Sequence, residues 1–201
     1  MQAGNGGNLV NAEQDCAVLV IGGGPCGLVA AIELGRRGIP VILLEEKSTP
    51  AHFPAANATQ ARTMEHYRRL GFAEKVRAQG LPPDYPTDIA YFTRYSKYEI
   101  TRVSMPHSGE TEKLIRSMSG SWSAAELPHR VSQKFVEQVL RKHAEALPGI
   151  SINYGWKLIS FRDTGEQIEA RIADVASGEE RDVRAKFLFG ADGPRSFVRK
   201  Q

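Results

Sequence analysis

Between Cys16 and Glu45 the chain reads CAVLVIGGGPCGLVAAIELGRRGIPVILLE, an order of residues that few folds accommodate. The unbroken apolar run from Cys16 to Ile21 predicts a parallel strand buried on both faces, because a half-exposed strand alternates. A helix is predicted from about Pro25, since proline suits the first helical turn and Leu28, Ala31, Ile32 and Leu34 supply an apolar face. Gly38 ends that helix, and Val41 to Leu44 form a second buried strand. The result is a strand, glycine turn, helix and strand.

The glycines say what such a unit can hold. Gly22 permits the tight turn off the first strand, Gly24 lets the backbone approach a pyrophosphate, and Gly27 lets helix and strand pack closely. Pro25 and Cys26, between the last two glycines, belong to the same turn, where phosphates meet the positive helix N-terminus. Glu45 follows at the interval, about 20 residues, at which a carboxylate accepts hydrogen bonds from an adenosine ribose. The adjacent Glu46 is a candidate at the same end of the strand, with solvent as the alternative for its side chain, because neighbours on a strand point opposite ways. A 2′-phosphate would be repelled by Glu45, so NADP is not expected at this turn. The unit alone leaves FAD and NAD open, beside a glycine-rich turn that holds no ligand.

Downstream, TQARTMEHYRRL (Thr59 to Leu70) predicts a helix closed by Gly71, and a further helix is predicted from about Ser132 to the stop at Pro148-Gly149. The Tyr- and Thr-rich text between Leu81 and Trp122 predicts two strands. ISINY, WKLISFRD and QIEARIADV predict three more, the last two joined by a TGE hairpin, before a final strand from Val183 to Phe189. With 26 Lys and Arg against 23 Asp and Glu and no block of like charge, a nucleic-acid partner is not expected. The two cysteines, Cys16 and Cys26, suit neither a disulfide framework nor a zinc site, and the five histidines show no ligand spacing, so no metal is assigned. Residues 1–14 read as a flexible leader without secretory character, and no apolar run approaches the about 20 residues of a membrane span. A cytoplasmic chain is expected.

Three further segments carry a resemblance. HFPAANATQARTMEHYRRLGF (52–72), LPHRVSQKFVEQVLRKHA (127–144) and GADGPRSFVR (190–199) resemble, in order, those of the flavin-dependent aromatic hydroxylases, single-component FAD monooxygenases that include phenol and polyketide hydroxylases. The resemblance implies an α/β fold: a Rossmann-like FAD-binding domain of the glutathione-reductase type, with a partial β-sheet excursion on the substrate side. It divides the chain into the FAD-binding domain (15–80 and 125–201) and a β-rich substrate-side insertion (81–124). It implies that Arg130 and Gln133 contact FAD, and that Asp192 lies in a motif facing FAD and NADPH.

The residue chemistry is compatible with this. Arg130 offers a fixed fork of donors, and Gln133, one helical turn along, is expected on the same face, the alternative for each being a surface ion pair or a cap. Asp192 alternatively caps a helix begun by Pro194. Arg195 and Arg199, on one face of that helix, are candidates for the NADPH phosphates or are simply solvated.

There are two departures from the family. Glu46 stands where members often carry a basic residue, and no second Gly-Asp flavin motif follows, so the C-terminal half of the family domain is expected to be absent. The chain then reads as a truncated form or an N-terminal segment, the alternative being a naturally short protein.

As the resemblance implies, NADPH reduces FAD, and the reduced flavin reacts with O₂ to a C4a-hydroperoxide that hydroxylates a small aromatic substrate. The chemistry then belongs to the cofactor, which fits a chain without a nucleophile or acid–base pair. Tyr91, Tyr95, Tyr98 and Trp122 are expected either to line an aromatic pocket or to pack between strands. Two other readings stay open, a flavin-binding module without turnover and an NAD-dependent dehydrogenase.

Overall fold

A computed structural model describes residues 15–49, 56–95, 97–120 and 123–201. In chain order the strands are β1 (Cys16–Ile21), β2 (Val41–Glu45), β3 (Ala58–Thr59), β4 (Ile89–Phe92), β5 (Glu99–Val103), β6 (His129–Arg130), β7 (Ile150–Tyr154), β8 (Trp156–Asp163), β9 (Ile168–Asp174) and β10 (Glu180–Gly190). The helices are α1 (Pro25–Gly35), α2 (Ala61–Leu70), α3 (Ala73–Arg77), α4 (Thr111–Ser117) and α5 (Gln133–Glu145). The described residues fall into two compact units, one of 15–49 with 137–201 and one of 56–136.

The first unit is a six-stranded sheet in the order β7-β2-β1-β10-β9-β8. Its first four strands are mutually parallel, and β9 and β8 continue it antiparallel. Parallel strands need a crossover, and α1 provides the one between β1 and β2, burying Leu28, Ala31 and Ile32. The run of apolar residues in β1 is explained by position: the strand is central, and Leu19 and Val20 are fully buried. The eleven-residue β10 serves both parts of the sheet. Its second half pairs with β1 and its first half with β9. Leu158, Ile168 and Ile172 of the antiparallel strands join Ile42 and Leu44 of β2 in one buried cluster. Each such side chain contributes about 1.5 to 3 kcal/mol by leaving water.

The second unit is built on α2, whose Met64, Tyr67 and Leu70 are buried on one stripe. Gly71 closes the helix at φ 88°, a left-handed cap that a side chain would strain. Phe72 then turns back onto Tyr67, ring centroids 5.0 Å apart, and Phe72 and Val76 are fully buried. Beneath them Arg77 pairs with the buried carboxylate of Glu126.

Several expectations are corrected here. The first two residues of the segment Thr59 to Leu70 are not helical, because Thr59 pairs with His129 in a short antiparallel ladder and the helix starts at Ala61. The segment from 81 to 122 holds the two expected strands as an isolated pair, β4-β5, and also a helix, α4, which seven residues of weak periodicity do not announce. Arg130 lies on β6 and not on a helix, so it and Gln133 do not share a helical face. Residues 1–14 and Trp122 lie outside the described residues. No helix among the described residues is long and apolar enough to cross a membrane.

Candidate functional site

The carboxyl ends of β1, β2 and β10 converge on the glycine turn. Gly22 sits at φ 107° and donates its N–H to Leu44 O at 2.8 Å, and a Cβ there would lie 2.4 Å from the carbonyl of Ala191. Gly27 is excluded from any larger residue by a different neighbour: its Cβ would lie 1.9 Å from Gly22 O. Gly24 contrasts with both. A Cβ built on it meets no protein atom within 4 Å, so its flank is open. The N-terminus of α1 begins at that flank, and no side chain caps it. Its first-turn amides and its dipole face the open space. Pro25 occupies the first helical turn, half-buried, and the free thiol of Cys26 is exposed beside it. The other free thiol, Cys16, is in the core, and its burial pushes its pKa up to about 11.

Glu45, the last residue of β2, turns its carboxylate onto this turn. Gly23 N–H donates to Oε2 at 2.7 Å and Lys47 N–H donates to Oε1 at 3.0 Å. Each oxygen keeps a second lone pair for an outside donor. Gly23, which the sequence reading passes over, is required as a glycine too, because a Cβ would stand 2.8 Å from the Cβ of Glu45. Glu46 is exposed, at the solvent end of the pair.

Ala191 N–H donates to Ile21 O at 2.7 Å, and this bond brings the GADG segment beside the glycine turn. Asp192 there accepts the Ser196 hydroxyl on Oδ1 at 2.5 Å and the amides of Phe197 and Val198 on Oδ2 at 2.6 and 3.1 Å. Burial acts to raise its pKa, but the hydrogen bonds from Ser196, Val198 and Phe197 outweigh it, and the carboxyl lies below its ordinary value. The capping alternative is thus present in the structure, although the chain beyond Asp192 forms a turn and a short 3₁₀ segment, Val198–Lys200, and not a regular helix. Arg195 and Arg199 are exposed and share no helical face, and Arg199 folds back to donate to Pro194 O at 2.8 Å.

Arg130 and Gln133 belong to the second unit. Arg130 is half-buried, its backbone is paired with Ala58, and its carbonyl accepts Leu81 N–H at 3.3 Å. No carboxylate among the described residues pairs with its guanidinium. The amide of Gln133, at the start of α5, donates to Ala56 O at 2.9 Å. Within the same unit a cavity of about 290 Å³ is walled by Leu81, Tyr85, Ile89, Met105 and Leu127, with His129 and Arg130 as polar members. The pKa of His129 is lowered, by burial first and then by the charge of Arg77, and its Nε2 donates to Arg77 O at 3.1 Å. Tyr91, Tyr95 and Tyr98 are 54, 97 and 78% exposed and do not line this cavity. Nor are they packed between strands: Tyr91 on β4 is exposed, and Tyr95 and Tyr98 lie in the connection from β4 to β5. Tyr85, Met105 and His129 are not evident as site residues from sequence; their one local signal is the aromatic residue inside the proline-rich PPDYP.

Comparison with known proteins agrees with this fold. The family model for an FAD binding domain matches residues 15–201. The FAD-dependent monooxygenase apdD of Emericella nidulans is 32% identical over 184 residues, which is 91% of this chain and 30% of the relative. Phenol 2-monooxygenase of a Pseudomonas species is 29% identical over 191 residues, 95% of this chain and 30% of that enzyme. The crystal structure of the flavin-dependent monooxygenase PieE in complex with FAD and substrate superimposes with a TM-score of 0.81 at 28% identity, covering 92% of this chain and 31% of PieE. The chain thus spans about a third of the length of the proteins it matches. With its α/β fold, its glycine turn and a family match over every described residue, the chain belongs to the FAD binding domain family.

Proposed function

We propose that the chain supplies the FAD site of an NADPH-dependent monooxygenase that hydroxylates a small, phenol-like aromatic substrate with O₂. The observation that carries this reading is the pairing of an open flank at Gly24 with a carboxylate at Glu45 anchored on the same turn. The two fit the two ends of an adenosine diphosphate: amides and helix dipole for the pyrophosphate, carboxylate for the ribose hydroxyls.

In this reading Gly22, Gly24, Pro25, Cys26 and Gly27 form the phosphate turn, and Glu45, with Glu46 at its rim, holds the ribose. Asp192 rigidifies the segment beside the turn while presenting its remaining lone pairs. Arg130, whose guanidinium pairs with no carboxylate among the described residues, is suited to a phosphate or ribityl oxygen, and Gln133 stands at the head of α5 beside it in sequence. Residues 81–124 form the substrate side. FAD, when bound, supplies the oxygen chemistry, in which ArH, O₂, NADPH and H⁺ become ArOH, H₂O and NADP⁺. The protein's part is to bind and orient, and to keep water from the reacting centre. Two reduced cysteines in the fold are consistent with a cytoplasmic setting.

The test is aerobic NADPH oxidation by the FAD-loaded protein with a panel of phenols, followed by product analysis. Phenol-dependent oxidation that yields a hydroxylated product supports the reading. Bound flavin without any NADPH oxidation would reduce the protein to a binding module.

A further inference from the structure

Beside Glu45 the sheet presents a second side chain at the same end of the strands. In the parallel pairing of β2 with β7, Glu45 stands directly opposite Tyr154. Strands in a sheet lie about 4.8 Å apart, and residues in register point to the same face. The Glu45 carboxylate also acts electrostatically on the Tyr154 hydroxyl, so the two side chains share this end of the sheet.

That ring is held. The guanidinium of Arg141, on α5, lies over it at 4.3 Å from the centroid, and Arg141 Nε is tied to Glu145 Oε1 at 2.6 Å. Tyr154 is half-buried and stays protonated: burial raises its pKa, and the nearby carboxylates of Glu45, Glu145 and Glu137 raise it further against the opposing effect of Arg141. The site thus has an aromatic side chain beside Glu45, held by a cation that is itself fixed by an ion pair. Glu46, exposed and acidic, offers no such surface.

We infer that Tyr154, positioned by Arg141, is a specificity-determining wall of the adenosine end of the nucleotide site, one that packs against the ribose and adenine held at Glu45. This inference rests on the flavin reading. The ligand class is any adenosine with a free ribose 2′-hydroxyl joined to a diphosphate; the flavin half plays no part. Tyr154 would touch the ligand, and Arg141 would act through Tyr154 as a positioning residue.

The experiment titrates wild-type protein and the variants Tyr154→Leu, Tyr154→Phe and Arg141→Met with FAD and, separately, with ADP, which carries the adenosine and no flavin. Stacking of a base on an aromatic side chain predicts about tenfold weaker binding of both ligands to Tyr154→Leu. Tyr154→Phe keeps the ring and is expected to bind as wild type. Arg141→Met retains an apolar stem without the charge, and loss of the cation–π contact predicts about threefold weaker binding. Melting of the ligand-free variants checks folding, and Arg141→Met, altered at a partly exposed residue, keeps the test available if Tyr154→Leu is unstable. Wild-type affinity for both ligands in Tyr154→Leu and Arg141→Met overturns the inference and leaves the flavin reading standing. Loss of FAD affinity with unchanged ADP affinity also overturns it. A wild-type protein that neither ligand saturates overturns the flavin reading and this inference together.

Discussion

The backbone amide of Gly23 donates to the carboxylate of Glu45 at 2.7 Å, which ties the glycine turn after β1 to the end of β2. This bond fixes where the acid points. It also explains a third glycine between Gly22 and Gly24, since a Cβ at Gly23 would collide with the acid's own Cβ.

The glycines of the turn separate stability from binding. Gly27→Ala places a methyl 1.9 Å from Gly22 O, well inside contact distance, and is expected to cost about 1 to 3 kcal/mol or more despite the better helix propensity of alanine. Gly24→Ala meets nothing in the protein and is expected to cost about 0.5 to 1 kcal/mol, because alanine is the poorer N-cap of α1. Its methyl occupies the space where a pyrophosphate would lie. Chemical denaturation together with FAD titration checks both: a stable Gly24→Ala protein that binds as wild type would show that the phosphates do not lie on that flank.

How much of this is legible in the sequence depends on how local each feature is. The β1-α1-β2 unit is readable because its glycine spacing and its change from continuous to helical apolar pattern lie within about thirty residues. The reach of Glu45 to Gly23, and its neighbour Tyr154 across β7, depend on which strands become adjacent, and no local pattern encodes that. Arg130 reads as helical from sequence because a two-residue strand has no periodicity to detect; its ladder with Ala58 exists only once the chain returns to it. Tyr91 on β4, and Tyr95 and Tyr98 in the connection to β5, look like packing residues by propensity, yet all three are exposed.

Asp192 is expected to confer an acid-dependent stability. Its folded-state pKa is depressed, so its contribution is fully present above the unfolded-state value, about 3.9, and is lost as pH falls through the lower folded-state value. Asp192→Ala removes the acceptor for Ser196, Phe197 and Val198 and is predicted to destabilise by about 1 kcal/mol at pH 7. Denaturant midpoints of the two proteins measured from pH 7 downward should converge below about pH 4. A gap that persists unchanged in acid would mean the carboxylate charge is not what caps the turn.

In the second unit the buried pair of Arg77 and Glu126 predicts asymmetric costs. Arg77→Met leaves the Glu126 carboxylate, 5% exposed, with Arg68 at 3.9 Å as its remaining cation among the described residues, and is expected to destabilise by about 3 kcal/mol. Replacing both, Arg77→Met with Glu126→Leu, removes the uncompensated charge and should recover most of the loss. Thermal melts of the single and double variants check this, and additive losses would contradict it.

The central claim is that Glu45 and the Gly22–Gly27 turn bind FAD, and a spectrophotometric FAD titration of wild type against Glu45→Gln tests it most directly. Gln keeps the shape and the bond from Gly23 but loses the charge and one acceptor oxygen. The expected result is a saturable flavin spectrum for wild type and binding weaker by about 10- to 100-fold for Glu45→Gln, the worth of a charged hydrogen bond to the ribose. A wild-type protein that remains colourless at saturating FAD, or a variant that binds as tightly as wild type, would contradict the account.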